Sequence, residues 1–355
     1  MRKIKFYEAI KEGQTQLMHK DKSVVIMGLG INDPTGVFGT TIGLNKIFGN
    51  KRVLETPTSE NATTGIAVGA AIQGLRPILT HHRVEFSLLS MEQIINQAAK
   101  WYFLSGGKYK VPIVIRLIIG KGWGQGPQHS QSLETLFSHI PGLKVVAPSN
   151  AYDAKGLLIS SVKDNHPVIF FEHRWLHNIE EKVPNKLFNI PIGKAKIVKK
   201  GKDLTIISFS EALIQVLRLR KILEKSNISA EIIDLRSLRP IDKKTIFRSV
   251  KKTKKVLVID NGWKSFGISS EIVSLISENL LNILRKKPVR LGIKELPLPS
   301  SRSIAEKCYL NSDQILNAIK HLTGKKINNS AKREFLLKNK DLNSDQPYKD
   351  FKGPF

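Results

Sequence analysis

Short apolar runs alternate with segments of helical periodicity along the first half of the chain. The apolar runs are rich in Val, Ile and Leu, which predicts strands that are buried on both faces. They are SVVIM (23–27), RPILT (76–80), PIVIRLII (112–119), KVVAP (144–148) and PVIFFE (167–172). Between them, the segments 91–103 and 150–162 space their apolar residues as amphipathic helices do. Strand and helix in alternation predict a doubly wound, mainly parallel α/β sheet.

The same alternation resumes after a polar, proline-bearing stretch at Glu180–Lys196. Its strands are expected at DLTIISF (203–209), AEIIDL (230–235), KVLVID (255–260) and PVRLGI (288–293). Ser210, followed by Glu211, is expected to cap the first helix of this set, and Ser312 with Asp313 to cap the last. The pattern predicts a second, smaller α/β domain.

These patterns divide the chain into three parts. The first domain is predicted over residues 1–185 and the second over 186–322, with the boundary in the polar stretch. Residues 323–355 are basic, polar and sparse in apolar periodicity. We expect them to form a tail that is either flexible or wraps a partner.

The formal net charge of +27 (57 Lys and Arg against 30 Asp and Glu) makes nucleic acid the first class of partner to consider. The densest basic run, Lys243–Lys255, brackets Ile246, Phe247 and Val250 as on an amphipathic helix. The run has no aromatic platform for stacking bases, and no nucleic-acid-binding motif occurs in the chain. It is a solvated basic face or a docking surface for an acidic protein, and we expect no nucleic-acid partner.

Composition limits the other classes of protein. The 355 residues, of which 41% are hydrophobic, suffice for two or three domains with buried cores. No apolar run of about 18 residues occurs, and the first residues lack the apolar core of a signal peptide, so no membrane partner is expected. Cys308 is the single cysteine, which excludes an internal disulfide and a cysteine-built metal site. We therefore expect a cytoplasmic protein.

Glu60 stands just beyond a predicted strand in the segment Lys51–Ile78. The helix predicted after it contains small residues such as Gly65, Gly69 and Ala70, which let another backbone approach closely, as at a subunit interface. Ligands of parallel α/β sheets bind beyond the carboxyl ends of strands, where Glu60 is expected. The residues alone leave two roles open: a carboxylate that binds a ligand, or an acid that stabilises the helix N-terminus.

Two further side chains are candidates for the same region. Phe86 lies between a predicted strand and a predicted helix, where a ligand-packing role and simple core packing both fit. His129 follows a glycine-rich segment, Gly120–Ser132, that matches neither dinucleotide-binding nor Walker spacing. This segment is expected to be a mobile loop that carries His129 to a pocket, although a lone loop histidine is often only a surface residue.

Several segments together resemble one family in their order and spacing. They are KRVLETPTSE, TGIAVGAAIQGLRPI, EQIINQAAK, SGGKYKVPIVIR, QHSQSLE, HIPGLKVVAPSNAYDAKGLL, LRPID and DNGWKSFGISSEI. The chain resembles the β subunit of the thiamine-diphosphate-dependent, decarboxylating component of 2-oxo acid dehydrogenase complexes, of the pyruvate and branched-chain type. Transketolase is a more distant relative. The resemblance covers the chain from about Lys5 to Leu322 and implies a pyrimidine-binding domain followed by a transketolase-type C-terminal domain.

The resemblance implies roles for individual residues. Glu60 matches the catalytic glutamate that hydrogen-bonds N1′ of the aminopyrimidine of thiamine diphosphate and so promotes its imino form. Phe86 matches the aromatic residue that packs on the pyrimidine ring, and Thr58 belongs to the same cofactor-binding group. His129 matches a histidine at the mouth of the active site that steers the substrate carboxylate or proton transfers.

Some members of the family also hold a structural potassium ion through backbone carbonyls. The matching positions in this chain are Ile113, Ser161, Asp164 and His166. A potassium site at these four residues is therefore implied by the resemblance alone.

Two departures from the family pattern concern the cofactor site. Leu29 and Gly30 stand where relatives have two acidic residues, the first of which is linked to proton communication between paired active sites. Leu88 and Leu89 stand where many relatives have Met-Gln. These changes favour a specialised paralogue that acts outside a large dehydrogenase complex.

The chain lacks the GDG sequence with which such enzymes begin their diphosphate and Mg²⁺ site. The resemblance therefore implies an α subunit that carries this half of the site, a second β subunit in an α₂β₂ assembly, and a lipoyl acyltransferase as a further possible partner. The predicted function is decarboxylation of a 2-oxo acid and transfer of its acyl or aldehyde unit. The alternatives are a non-catalytic, regulatory β-like subunit and a stand-alone half of a transketolase-like enzyme.

Overall fold

Two sheets organise the chain in the computed structural model, which describes residues 1–121 and 124–339. The strands are β1 (Arg2–Lys5), β2 (Val24–Gly28), β3 (Val53–Glu55), β4 (Arg76–His81), β5 (Val114–Ile119), β6 (Lys144–Val146), β7 (Val168–His173), β8 (Glu180–Val183), β9 (Lys196–Lys199), β10 (Leu204–Ser208), β11 (Ala230–Asp234), β12 (Ser237–Arg239), β13 (Val256–Trp263) and β14 (Val289–Ile293).

The helices lie between these strands. They are α1 (Phe6–Lys20), α2 (Leu44–Phe48), α3 (Glu60–Ile72), α4 (Trp101–Leu104), α5 (Glu134–Ser138), α6 (Ala151–Lys163), α7 (Ser210–Arg218), α8 (Arg220–Lys225), α9 (Lys243–Thr253), α10 (Ile268–Leu280), α11 (Arg302–Ala305), α12 (Ser312–Thr323) and α13 (Asn329–Lys338). No helix of the described ranges is both long enough and apolar enough to cross a membrane.

The first sheet has the strand order β12-β6-β7-β5-β4-β2-β3, and every pairing in it is parallel except that of β12 with β6. Its central strands are buried along their length because helices cover both faces, which accounts for their continuous apolar sequence. The predicted α/β fold with a mainly parallel sheet is confirmed.

The chain reverses its direction of travel across this sheet at β2. It passes from β2 to β3 on one side, then through α3 to β4 on the other side of β2. Such a switch point leaves a crevice beyond the carboxyl ends of the strands, because the flanking helices lie on opposite faces. Residues that follow β2, β3, β4, β5 and β7 all come to this edge.

The second sheet has the order β14-β13-β10-β11-β9, parallel except for β9. The strand β12 comes from this half of the sequence but joins the first sheet, so the two halves share one continuous structure. The basic helix α9 buries Ile246 and Val250, as the amphipathic pattern predicts.

Three local expectations are wrong. The N-cap of α7 is Phe209, and Ser210 lies inside the helix with φ of +51°. The N-cap of α12 is Asn311, whose side chain accepts from Gln314 N, so Ser312 is the first helical residue. The long helix expected over 91–103 is instead a π-helical segment, Gln93–Ala98, followed by the short α4. At α12 the reason is local, because Asn311 and Gln314 form a capping box.

The described part of the predicted tail is ordered against its own chain. The helix α13 packs on α8, and Phe335 joins the core of the second domain beside the guanidinium of Arg218. Lys325 forms an ion pair with Asp203. Residues 340–355 lie outside the described residues, and a partner-wrapping role stays a prediction.

Candidate active site at the carboxyl edge of the first sheet

A small cavity of about 60 Å³ lies at the switch point. Glu60, the first residue of α3, and Phe86, which follows β4, both line it. Its other walls combine apolar and polar residues: Leu29, Thr56, Pro57, Thr63, Leu79, Thr80, His81 and His82. Phe86 is 38% exposed, so part of its ring is available to a ligand and is not packed in the core. The structure thus places one carboxyl group and one aromatic ring in a single crevice.

A second, larger cavity of about 870 Å³ adjoins the first, since Phe86 and His82 line both. His129 lines this larger cavity, with its ring centroid 5.6 Å from that of Phe86. The loop that carries His129 is held in two places. Gln131 N donates to the Glu85 carboxylate at 2.9 Å, and Asn261 of the second domain donates to Ser132 Oγ at 3.3 Å. Gly122 and Trp123 of the predicted mobile loop lie outside the described residues.

Thr58 is the predicted site residue that these cavities do not include. It is exposed on the turn before α3, on neither cavity wall. A role for Thr58 in cofactor binding stays a prediction.

The glycine at position 30 has a structural explanation. Gly30 has φ of +68°, and a Cβ atom there would lie 2.8 Å from His82 Cε1. The backbone N–H groups of Gly30 and Asn32 both donate to the carboxylate of Glu55. A larger residue at position 30 would collide with the His82 ring that separates the two cavities. The leucines at 88 and 89 are exposed on the 3₁₀ segment Val84–Ser90.

Four side chains on the wall of the larger cavity each have a buried polar atom without a hydrogen-bond partner among the described residues. These atoms are His82 Nε2, Arg83 Nη1, Gln125 Oε1 and His129 Nδ1. A buried polar atom without a partner costs free energy, so a concentration of them on one wall points to a polar ligand. Sequence reasoning found only His129 among the four.

Two arginines, Arg83 and Arg174, line the same cavity and were not predicted as site residues. Arg83 is 8% exposed and Arg174 is 7% exposed. The Arg174 guanidinium lies 4.7 Å from the centroid of the Phe38 ring. Burial lowers the pKa of Arg83, although the nearby Glu85 carboxylate partly offsets this. Burial, together with the charge of Arg83, lowers the pKa of Arg174 to about 10, so Arg174 stays cationic at pH 7.

A signal for these residues exists in the sequence. His81 ends β4, His82 and Arg83 follow it directly, and Arg174 follows the last residue of β7. Since both strands are parallel, their carboxyl ends meet at one edge, and polar residues there are candidates for ligand binding. What the sequence does not contain is the distance across the sheet between the two arginines.

A third buried arginine, Arg116 on β5, lies behind the cavities in a closed network. Its guanidinium donates five hydrogen bonds. The acceptors are both carboxylate oxygens of Glu172 and the side chains of Gln14, Thr40 and Thr80. The positive charge and the hydrogen bonds overcome the effect of burial and lower the pKa of Glu172 to about 2.

The four potassium-site residues lie near one another at the opposite, amino-terminal edge of the sheet. Three of the four carbonyl groups accept hydrogen bonds within the chain. Ile113 O accepts from Val168 N at 2.9 Å, and Ser161 O accepts from Asp164 N at 3.2 Å. Arg76 Nη1 donates to Asp164 O at 3.0 Å. A guanidinium at this carbonyl opposes a second cation beside it, so this arrangement does not fit the ion well. The potassium site stays a prediction.

Fold and site together define an α/β protein with two mainly parallel sheets and a ligand site at the switch point of the first. Residues 2–178 match the family described as transketolase, pyrimidine binding domain, and residues 193–315 match transketolase, C-terminal domain. A solved structure titled "Split gene transketolase, inactive beta4 tetramer" has a TM-score of 0.75 at 20% identity, covering 90% of this chain and 98% of that one. This likeness confirms the fold.

Closer relatives are β subunits. The pyruvate dehydrogenase E1 component subunit beta of Porphyra purpurea is 40% identical over 322 residues, which are 91% of this chain and 97% of that protein. The one from Acholeplasma laidlawii is 41% identical over 300 residues, 84% and 92% of the two chains. The mitochondrial one from Homo sapiens is 38% identical over 318 residues, 88% and 89%. The chain belongs to the family of transketolase-like pyruvate dehydrogenase E1 β subunits, which confirms the resemblance drawn from its motifs.

Proposed function

We propose that this chain is the β-type subunit of a thiamine-diphosphate-dependent enzyme that decarboxylates a 2-oxo acid, with an active site completed by an α subunit. One observation carries the proposal: Glu60 and Phe86 line one cavity, and Phe86 and His129 line the next. The names of its relatives, pyruvate dehydrogenase E1 subunits, support the same activity.

The residues of the smaller cavity suit the pyrimidine half of the cofactor. Glu60 offers a carboxyl group to a ring nitrogen, Phe86 offers a ring face, and Leu29 and Leu79 complete an apolar wall. The sequence has no GDG segment for the diphosphate half, so Mg²⁺ and the diphosphate would be held by the α subunit. An α₂β₂ assembly would bring these halves together.

Thiamine diphosphate, when bound, would supply a carbon nucleophile and an electron-accepting thiazolium ring for the decarboxylation of a 2-oxo acid. Glu60 would hold a proton at the pyrimidine N1′ nitrogen, and Phe86 would fix the orientation of that ring. His129 lies next to Phe86 and would exchange protons with the substrate oxygen. Glu85, which binds the backbone beyond His129, would keep the imidazole at this position.

The test is activity of the assembly that this chain forms with the partner it captures in its own cells. We expect 2-oxo-acid-dependent reduction of an artificial electron acceptor, with thiamine diphosphate and Mg²⁺ present. Glu60→Gln should lower the rate roughly a hundredfold, about 2.7 kcal/mol of transition-state stabilisation, because an amide cannot exchange the N1′ proton. Glu334→Gln removes an exposed carboxylate on α13 and should leave the rate unchanged.

Two results would contradict the proposal. If Glu60→Gln retained full activity, the cavity would not be the cofactor site. If no 2-oxo acid were turned over, either a different transfer reaction or a regulatory β-like subunit would remain, and Mg²⁺-dependent binding of thiamine diphosphate would favour the transfer reaction. Capture of a lipoyl acyltransferase in the same purification would place the assembly inside a large complex, against the specialised role that Leu29, Gly30, Leu88 and Leu89 favour.

A further inference from the structure

The larger cavity has an excess of positive charge on one wall. Arg83 and Arg174 are buried there, and His82 and His129 add polar nitrogen atoms. Asp33 is the one acidic side chain among the described lining residues, and it is exposed. Glu85 lies close enough to affect the pKa of Arg83, but one of its oxygens and Arg83 Nη1 both have no hydrogen-bond partner among the described residues.

Buried charge of this kind is costly without an opposite charge. A guanidinium out of water loses solvation, and two guanidinium groups that repel each other add to the loss. Both guanidinium groups line the same cavity, and the positive charge of Arg83 adds to the effect of burial in lowering the pKa of Arg174. An anion at this wall would regain solvation energy for Arg83, whose Nη1 has no hydrogen-bond partner among the described residues.

The position of Arg83 depends on a glycine. Gly120 directly follows β5, and a Cβ atom at this residue would collide with Arg83 Nη1. Gly120 therefore leaves room for the guanidinium at the cavity wall, beside the Gln125 side chain.

We propose that Arg83 and Arg174 form an anion subsite that binds a second, non-reacting anionic group of the 2-oxo acid substrate. This inference rests on the proposed function and deepens it, since it assigns the substrate class. The acids turned over would carry a carboxylate or phosphate group at the end opposite the 2-oxo carboxylate. A cavity of about 870 Å³ has room for such an acid beside the cofactor pyrimidine.

The reacting carboxylate is a poor candidate for this subsite. Its charge is lost when CO₂ leaves, so two cations bound to it would stabilise the substrate more than the transition state and slow the reaction. A distal anionic group keeps its charge throughout. Binding energy from that group lowers the energies of substrate and transition state alike, and positions the 2-oxo carbon.

The experiment compares matched acids on the assembled enzyme. The pair 2-oxoglutarate and 2-oxopentanoate share the 2-oxo carboxylate and chain length but differ in the terminal group, and 2-oxo-4-phosphonobutanoate tests a phosphonate in place of the carboxylate. We expect wild-type kcat/KM to be higher for one of the dianionic acids than for 2-oxopentanoate. Arg83→Met should lower that kcat/KM roughly a hundredfold and change the value for 2-oxopentanoate less than threefold or so. Which dianionic acid is preferred identifies the terminal group.

Control variants separate the subsite from general effects of charge. Arg83→Lys keeps the charge without the fork geometry and should retain part of the preference. Arg333→Met removes an exposed cation on α13 and should leave both acids unaffected. Since Arg83 Nη1 has no hydrogen bond to lose among the described residues, Arg83→Met should keep the melting temperature of the assembly.

Several results would overturn the subsite. An equal loss for both acids would mean that Arg83 binds the reacting carboxylate. Loss of thiamine diphosphate affinity would assign the arginines to the cofactor diphosphate, and loss of the α subunit would assign them to the subunit interface. A wild-type preference for 2-oxopentanoate would also contradict the subsite.

A binding measurement keeps this test independent of the proposed activity. Glutarate, an unreactive dianion, should bind the wild-type assembly in calorimetry and should not bind Arg83→Met. If no 2-oxo acid is turned over but glutarate shows this difference, the decarboxylase function fails while the anion subsite stands. If glutarate binds both proteins equally or neither, the anion subsite is wrong.

Discussion

Two buried arginines at the same sheet, Arg116 and Arg83, have opposite surroundings. All five N–H donors of Arg116 are bonded, two of them to Glu172, whereas Arg83 has a nitrogen without any partner among the described residues. A charge that is fully paired in the interior holds the structure together, and removing one partner is costly. A buried charge with an unbonded nitrogen can bind a ligand, as we propose for Arg83. Burial alone therefore does not separate structural from functional charge; hydrogen-bond completeness does.

The largest expected effect comes from breaking the closed network. Glu172→Gln should lower the free energy of unfolding by about 3–5 kcal/mol, because it leaves the Arg116 charge buried without its counter-ion. Chemical denaturation of the assembly followed by tryptophan fluorescence would measure it. Glu306→Gln breaks an exposed pair with Arg302 and should cost less than about 1 kcal/mol.

The double variant Arg116→Met with Glu172→Leu removes both charges of the buried pair and so tests whether the unpaired charge is what costs stability. Apolar side chains of similar volume carry no desolvation penalty, so this variant should be more stable than Glu172→Gln alone. If Glu172→Gln and Glu306→Gln lowered the free energy of unfolding equally, the Arg116 network would not be important for stability.

The second effect is a dependence of stability on pH. The pKa of Glu172 is about 2 in the folded chain, below the ordinary value of 4.5, so the folded state binds its proton more weakly than the unfolded state. Its contribution is complete above about pH 4.5 and is lost as pH falls towards 2. The loss amounts to roughly 3 kcal/mol, at about 1.36 kcal/mol per pKa unit. Denaturation of wild type and Glu172→Gln between pH 7 and pH 3 should show the two stabilities converging. A constant difference would mean that another group carries the acid sensitivity.

The smallest effect concerns the position of Arg83. Gly120→Ala should displace the flexible tip of Arg83 and lower kcat/KM for the preferred dianionic acid about tenfold, or about 1.4 kcal/mol, with little change for 2-oxopentanoate. Gly13→Ala in α1, where the nearest atom would be Leu158 Cδ2 at 3.4 Å, is the matched control. If Gly120→Ala left the selectivity intact, the position of Arg83 would not matter.

Sequence patterns predicted the strands of the first sheet well, because strands buried on both faces read as continuous apolar runs. Helix starts were harder to predict. Asn311, and not Ser312, caps α12. The helix α7 begins at Ser210, one residue earlier than predicted, and its N-cap is Phe209. The π-helical segment at Gln93–Ala98 has no distinct sequence signal, since its apolar spacing is that of an ordinary helix.

Some residues of the candidate site were predicted from the sequence, and others are evident only in the structure. Glu60, Phe86 and His129 follow from the resemblance, and the structure brings them into two adjoining cavities. Arg83 and Arg174 lie on loops after different strands, and a linear pattern does not say that they share a wall.

By itself the sequence determined the α/β class, the succession of strands and helices and the family, because these depend on local periodicity and on motifs that are short and contiguous. Tertiary structure alone decided which charges are satisfied. Arg116 and Arg83 look equally basic and equally close to strands in the sequence. Only the packing of α1, Thr40, β4 and β7 around β5 gives Arg116 its five acceptors, and the same fold leaves Arg83 facing a cavity. Hydrogen bonding depends on neighbours that are distant along the chain.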